Sequence, residues 1–178
     1  SDGVRYCHAD LYDEETLSQI VARHKGKVQL LSAFPPCTDL ASSGSKWWAR
    51  KRELDADCQR VAAERARRCA LVAEEMGCLS WYVENPVGLL SRLWRKPGYL
   101  FDPCEYGGYL DEHHATHPVY PKEIPPRDAY RKRTCIWKGR RFVVPRRRRV
   151  DPVFVLFRRA RTGGVVKSSP QHALGKMT

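Results

Sequence analysis

Apolar positions along this chain fall into short blocks whose spacing changes from one block to the next, and that alternation predicts an α/β order. Val4-Arg5-Tyr6-Cys7-His8 has the character of a short strand, with Ala9 to Asp13 as its exit loop. From Glu14 to His24, Leu17, Ile20 and Val21 share one helical face, Asp13 stands at the N-cap, and Gly26 ends the helix. Val28–Phe34 is an apolar run that predicts a short buried strand. Pro35-Pro36 must stop it, because proline lacks the N–H a central strand needs and fixes φ. Strand, helix and strand in that order predict a βαβ unit with a right-handed crossover and a parallel sheet.

From Lys51 to Met76 there is no Gly or Pro, and Leu54, Cys58, Val61, Cys69, Val72 and Met76 recur at helical spacing. One long amphipathic helix stopped by Gly77 is expected. Cys78–Val83 then predicts a strand running out into Glu84-Asn85-Pro86. Leu89–Trp94 reads as a short helix, Tyr99–Cys104, Lys132–Trp137 and Val153–Phe157 as further strands, and the tail from Arg158 as irregular.

Charge changes the picture next. The chain has 178 residues, the size of one domain, with 32 Lys and Arg against 20 Asp and Glu and a net charge of +12. That excess favours a polyanionic partner, nucleic acid first. No apolar stretch reaches membrane-spanning length and no signal-peptide pattern opens the chain. The 7 cysteines are scattered without an even framework, which points to free thiols in a reducing, cytoplasmic setting. Ser1-Asp2-Gly3 opens the chain without a methionine and Ser168–Thr178 closes it on a polar stretch, so a fragment of something longer is expected. One domain over 1–178 is expected, with a basic, partly irregular segment over 138–178.

The candidate chemistry centres on Cys37. A thiol at the carboxyl end of a strand lies where open α/β sheets bind ligands, and reactive cysteines occupy partly exposed, electropositive sites. The plainer alternative is a cysteine packed as a small hydrophobe, but prolines before it and the polar, mobile loop after it argue against burial. Glu84 leaves a second strand on the same edge, either as a solvated turn residue or as an acid sharing the cleft. Trp47 and Trp48 serve to close the Pro35–Trp48 loop, to stack on a base or simply to pack. Arg60, Arg65, Arg67 and Arg68 read most simply as a solvated helix face, with phosphate contact as the alternative, and Cys58 and Cys69 as core. His113, His114 and His117 with Cys104 or Cys135 match no standard zinc spacing, so no metal is expected. Arg146-Arg147-Arg148-Arg149 is either a solvated patch or a contact for a nucleic-acid backbone.

Taken together, Pro35-Pro36-Cys37 and Glu84-Asn85-Pro86 resemble the nucleophile and Glu-Asn motifs of the DNA cytosine carbon-5 methyltransferases, in the compact branch found in phages and prophages. Glu105-Tyr106-Gly107 resembles the Asp-Tyr-Gly of that family, and Arg131–Trp137 its basic motif and following strand. The resemblance implies a Rossmann-like, S-adenosylmethionine-dependent methyltransferase fold with a mostly parallel sheet, incomplete at its first strands. It makes Cys37 the nucleophile, Glu84 the acid at ring N3, and Arg133, with Arg131 second, the holder of the base oxygen. Asp10, Pro35 and Asn85 fall to the cofactor, and Ser43, Lys46 and Arg146–Arg149 to double-stranded DNA.

The chemistry explains these residue types. Cytosine carbon 5 becomes nucleophilic only after a thiolate adds at carbon 6, and the target base has to leave the duplex to be reached. The loop Thr38–Trp48 is then the expected closing element. The family's glycine-rich first motif, the acid that grips the cofactor ribose, its closing motif and a sizeable target-recognition domain have no counterpart in these residues. A cytosine deaminase is set aside, because Leu40 stands where a second zinc cysteine is required and His8-Ala9-Asp10 lacks the glutamate. A non-catalytic DNA-binding derivative of the fold and a basic packaging protein remain the alternatives.

Overall fold

The acidic start of the first helix and its cap behave as the sequence dictates. In the computed structural model, which describes residues 3, 5–111, 116–117, 119–158 and 165–170, α1 spans Glu14–His24. Asp13 accepts from the Thr16 N–H at 2.8 Å as its N-cap. The chain divides into two compact units, Ser1–Lys96 with Trp137–Val143, and Pro97–Ile136 with Val144–Thr178.

In the first unit β1 (Leu31–Ala33) pairs in parallel with β2 (Trp81–Pro86), in the register Leu31 to Trp81 and Ala33 to Val83. Between them lie a 3-10 turn at Ser42–Trp47, α2 (Trp48–Leu54) and α3 (Cys58–Glu75). α3 packs on β2 through a face of alanines, with Ala62, Ala63, Ala66, Ala70 and Ala73 all buried. Small side chains let the helix lie close over Trp81 and Val83, which are also buried. α4 (Leu90–Leu93) follows β2. On the far side of β2 the Gly139 N–H donates to Trp81 O at 2.9 Å and the Arg141 N–H to Leu79 O at 3.1 Å. The partner number falls as the chain advances, so this segment runs antiparallel to β2.

In the second unit β3 (Tyr99–Phe101) pairs antiparallel with β4 (Thr134–Lys138), whose last two residues belong to the first unit. The strand order β1-β2-β4-β3 makes a mixed α/β sheet. The expected mostly parallel sheet is therefore corrected. A parallel neighbour needs a long crossover, usually a helix, and between β3 and β4 the described chain supplies only 3-10 turns and loop. A separate hairpin joins β5 (Val155–Arg158) to β6 (Val165–Ser168). The buried side chains of this unit include Cys104, Ile124, Tyr130, Cys135 and Ile136.

Five local expectations change. The buried strand expected over Val28–Phe34 shortens to Leu31–Ala33 and lies half-buried, with Ser32 exposed and Leu30 and Phe34 exposed on either side. The Val4–His8 strand is absent over its described residues Arg5–His8, which are exposed coil; Val4 lies outside them. The long helix is broken at Asp55–Asp57, because the Asp55 carboxylate accepts the Asp57 N–H at 2.9 Å and takes the backbone out of the helix. The third strand starts later than Cys78 and runs on through Glu84 to Pro86, since the Cys78 N–H is spent on Ala73 O at 2.8 Å, closing α3. The tail from Arg158 gains a strand, although 159–164 and 171–178 lie outside the described residues. Among the described residues no helix is long and apolar enough to cross a membrane.

Gly88 fixes how the two strand exits meet. A Cβ there would sit 1.9 Å from Leu40 O, and the Leu89 N–H donates to that same oxygen at 2.9 Å. Gly88→Ala is expected to lower the unfolding free energy by about 1–3 kcal/mol in urea denaturation. An unchanged midpoint would show that this approach is slack.

Candidate active site and basic surface

Pro35 and Pro36 turn the chain off β1 and deliver Cys37, which is half-buried. The Cys37 carbonyl accepts from the Leu40 N–H at 3.0 Å and the Ala41 N–H at 2.8 Å, so a tight turn follows directly. Leu40 is fully buried and pins that turn. Ser42 donates to Val87 O through its N–H at 2.9 Å and its Oγ at 2.8 Å. Lys51 Nζ reaches Thr38 O at 2.9 Å and Asp39 Oδ1 at 2.6 Å. The stretch expected as a mobile loop is thus stitched at its base and then coiled into the 3-10 turn and α2. Ser43 and Lys46 are exposed on that turn, with Lys46 Nζ 5.1 Å from the ring of Trp47. The neighbouring Trp48 is half-buried.

Burial alternates along β2: Trp81, Val83 and Asn85 are buried, while Tyr82, Glu84 and Pro86 are half-exposed. Glu84 therefore stands inside the strand rather than in the turn after it, on the face of Tyr82, whose ring meets Phe34 edge-on at 6.0 Å. Asn85 lies on the opposite face, 1% exposed, and its Nδ2 donates to Pro35 O at 3.1 Å. A strand that stops in two prolines leaves a carbonyl without a ladder partner, and this side chain satisfies it. Asn85 Oδ1 is buried without a hydrogen-bond partner among the described residues.

Beside this corner lies a cavity of about 350 Å³ between α1, β1 and α3. Leu17, Leu31, Pro35, Pro36 and Val72 give it apolar walls, and Arg65 and Arg68 bring charge. Arg68 holds Glu75 at 2.5 Å and Glu14 at 3.3 Å, yet its Nε is buried and unpartnered among the described residues. Arg65 lies over the ring of Tyr12, another wall residue, at 4.5 Å. Asp10 is exposed two residues before Tyr12 and accepts its N–H at 2.9 Å. Cys69 also lines the cavity, and burial pushes its thiol above the usual range. Cys58 and Cys69, expected in the core, are half-buried. Arg60 and Arg67 pair with Asp57 and Glu64 one turn away, as on a solvated face.

The second unit carries the other expected residues. Arg133 is exposed and its guanidinium lies 3.4 Å from Asp102. Arg131 lies over the ring of Phe154 at 5.6 Å. Arg146–Arg149 are exposed, and the chain through them is ordered against Cys104–Tyr109. Tyr109 Oη donates to Arg146 O at 2.7 Å, the Gly108 N–H to Arg148 O at 2.8 Å, and the Val150 N–H to Cys104 O at 2.9 Å. Burial, then the adjacent Tyr99 hydroxyl, push the Tyr106 phenol well above its usual range.

No disulfide joins any of the seven cysteines, all of which lie among the described residues. Among the described residues no three His, Cys, Asp or Glu side chains gather for a metal; His113 and His114 lie outside them. The cavity was not visible in the sequence, and Arg68, expected on a solvated face, stands in its wall, because Arg68 meets Glu14 across 54 positions.

Comparison with known proteins finds no matching family model, no matching curated protein and no matching solved structure.

Asn85→Ala is expected to destabilise the first unit by about 1–3 kcal/mol in urea, because Pro35 O loses its donor. Alkylation of Cys37, followed by peptide mass, should quicken several-fold as the corner loosens. An unchanged midpoint and an unchanged Cys37 rate would show that Asn85 does not set the corner.

Proposed function

We propose that this chain carries the catalytic centre of a DNA cytosine carbon-5 methyltransferase on a Rossmann-like scaffold. The observation that carries the reading is the pairing of β1 with β2 in parallel, whose register sets Glu84, inside β2, one residue beyond the Ala33–Val83 pair and so level with the carboxyl end of β1, from which the chain runs to Cys37. Open α/β sheets bind their ligands at that end. The Pro-Pro-Cys and Glu-Asn-Pro sequences found there are the ones that resemble the family's motifs.

In this reading the Cys37 thiolate adds to carbon 6 of an extruded cytosine. The ring electron pair moves towards N3 and O2, where Glu84 supplies a proton or hydrogen bond, and carbon 5 becomes nucleophilic. After carbon 5 takes the methyl group, loss of its proton expels the Cys37 thiolate and restores the ring. The arginine role at the base oxygen rests on the resemblance alone, and Arg133 is already engaged with Asp102.

The methyl donor implied is S-adenosylmethionine, which supplies an electrophilic methyl on a sulfonium. The cavity beside Pro35 and Pro36 suits such a molecule in size and wall chemistry. The buried Arg68 Nε offers a waiting donor for a carboxylate oxygen. Pro35 lines this space, Asp10 stands beside its Tyr12 wall, and Asn85 braces it through Pro35 O.

The test is transfer of labelled methyl to a cytosine-containing duplex. Cys37→Ser should abolish transfer, and Glu84→Gln should lower it about 10²-fold or more, with DNA binding retained in both. Full transfer by Cys37→Ser would overturn the mechanism. DNA binding without any transfer by the wild type would favour a non-catalytic derivative of the fold.

A further inference from the structure

The run Arg146–Arg149 puts four like charges side by side, an arrangement that repels itself and ordinarily stays solvated and loose. Here its backbone is clamped. Besides the three bonds to Arg146 O, Arg148 O and the Val150 N–H, Tyr106 Oη donates to Pro145 O at 3.3 Å. Gly108 makes the contact possible, since a Cβ there would fall 2.8 Å from both the Cβ and the carbonyl oxygen of Arg148.

The side chains then divide into two pairs. Glu105 is 16% exposed; its Oε2 accepts the Asp102 N–H at 3.1 Å, which aims Oε1 at the run. Arg147 and Arg149 both approach that Oε1 at 3.4 Å. Arg147 Nε also donates to Tyr99 Oη at 2.8 Å, and its guanidinium lies over the Tyr99 ring at 5.5 Å. The Tyr99 and Tyr106 hydroxyls lie 3.0 Å apart, in hydrogen-bond contact. These two arginines are spent on internal partners.

Among the described residues Arg146 and Arg148 have no such partner. Arg148 lies over the Tyr109 ring at 4.5 Å, a contact that orients a guanidinium while leaving its N–H groups free. The Arg146 side chain makes no hydrogen bond or ion pair among the described residues. Glu105 faces two of the four guanidinium groups and offsets one charge at most, so the ridge keeps a net positive charge. Successive alternate positions in an extended chain stand about 6.6 Å apart, so two guanidinium groups of this pair reach two separate phosphates.

We propose that Arg146 and Arg148 are the phosphate-contacting residues of a preformed ridge that binds a nucleic-acid backbone, and that Arg147, Arg149 and Glu105 form the clamp holding them in place. This rests on the DNA-binding part of the reading above and sharpens it. A preordered ridge loses less side-chain freedom on binding than a loose basic tail does.

The experiment measures binding against salt concentration for the full chain with a 20-base-pair duplex and, separately, with inorganic polyphosphate. Thermal melting of every variant is recorded alongside. Arg146→Gln with Arg148→Gln should leave melting unchanged and reduce the duplex salt slope by about 1.8, two phosphates' worth. Arg147→Gln with Arg149→Gln should lower melting and move the slope by less than about 0.5. Glu105→Gln leaves all four arginines in place and should lower melting without reducing the slope. Equal slope losses from the two arginine pairs, or a larger loss from Arg147 and Arg149, would overturn the division while leaving DNA binding intact. Polyphosphate binding that depends on Arg146 and Arg148, with no duplex binding by the wild type, would uphold the division and remove DNA as the partner. No binding of either polyanion by the wild type would overturn both.

Discussion

A carbonyl oxygen stranded by two prolines is the constraint on which the candidate active site depends. Pro35 O has no strand partner where β1 ends, and the buried Asn85 amide on β2 donates to it. That single bond ties the exit of one strand to the body of the next. Further along both exits Leu40 O lies against Gly88 and Ser42 is bonded to Val87, so the tie continues. Cys37 sits between these fixed points. Its position is set by backbone groups on either side, which is the preorganisation a nucleophile requires.

The second unit solves a different problem, how to order charges that repel one another. Aromatic faces and one carboxylate do it together. Tyr99, Phe101, Tyr106 and Tyr109 follow one another as neighbouring rings, at centroid separations between 5.4 and 6.5 Å. Two guanidinium groups rest on members of this row, and Glu105 faces two. Ring quadrupoles attract cations without neutralising them, so the run is ordered and still electropositive.

Local chemistry was legible in the sequence wherever a single residue decides the outcome. The Asp13 cap, the proline stop after β1 and the end of α3 before Gly77 all appear as the residues dictate. Long-range pairing was not. Nothing in the spacing of Cys58 to Met76 reveals that the Asp55 carboxylate breaks the helix ahead of it. The reversed β4 depends on which strand it meets, which periodicity does not encode. At the site, the sequence put Cys37 and Glu84 at strand ends, yet β2 runs through Glu84 to Pro86. Asn85 was expected at the cofactor, whereas its visible contact is with Pro35, 50 positions away. The arginine run was legible as charge, but its order depends on Glu105 and Tyr99, more than 40 positions earlier.

Covalent trapping tests the central claim most directly. The wild-type chain is incubated with S-adenosylmethionine and a duplex carrying 5-fluorocytosine, whose fluorine blocks the final loss from carbon 5 and so holds the thiol on the base. Peptide mass then locates the attachment. The account predicts one adduct, on the Cys37 peptide, carrying both the base and the added methyl group. Duplex binding with no adduct, or an adduct on any other of the seven cysteines, would contradict it.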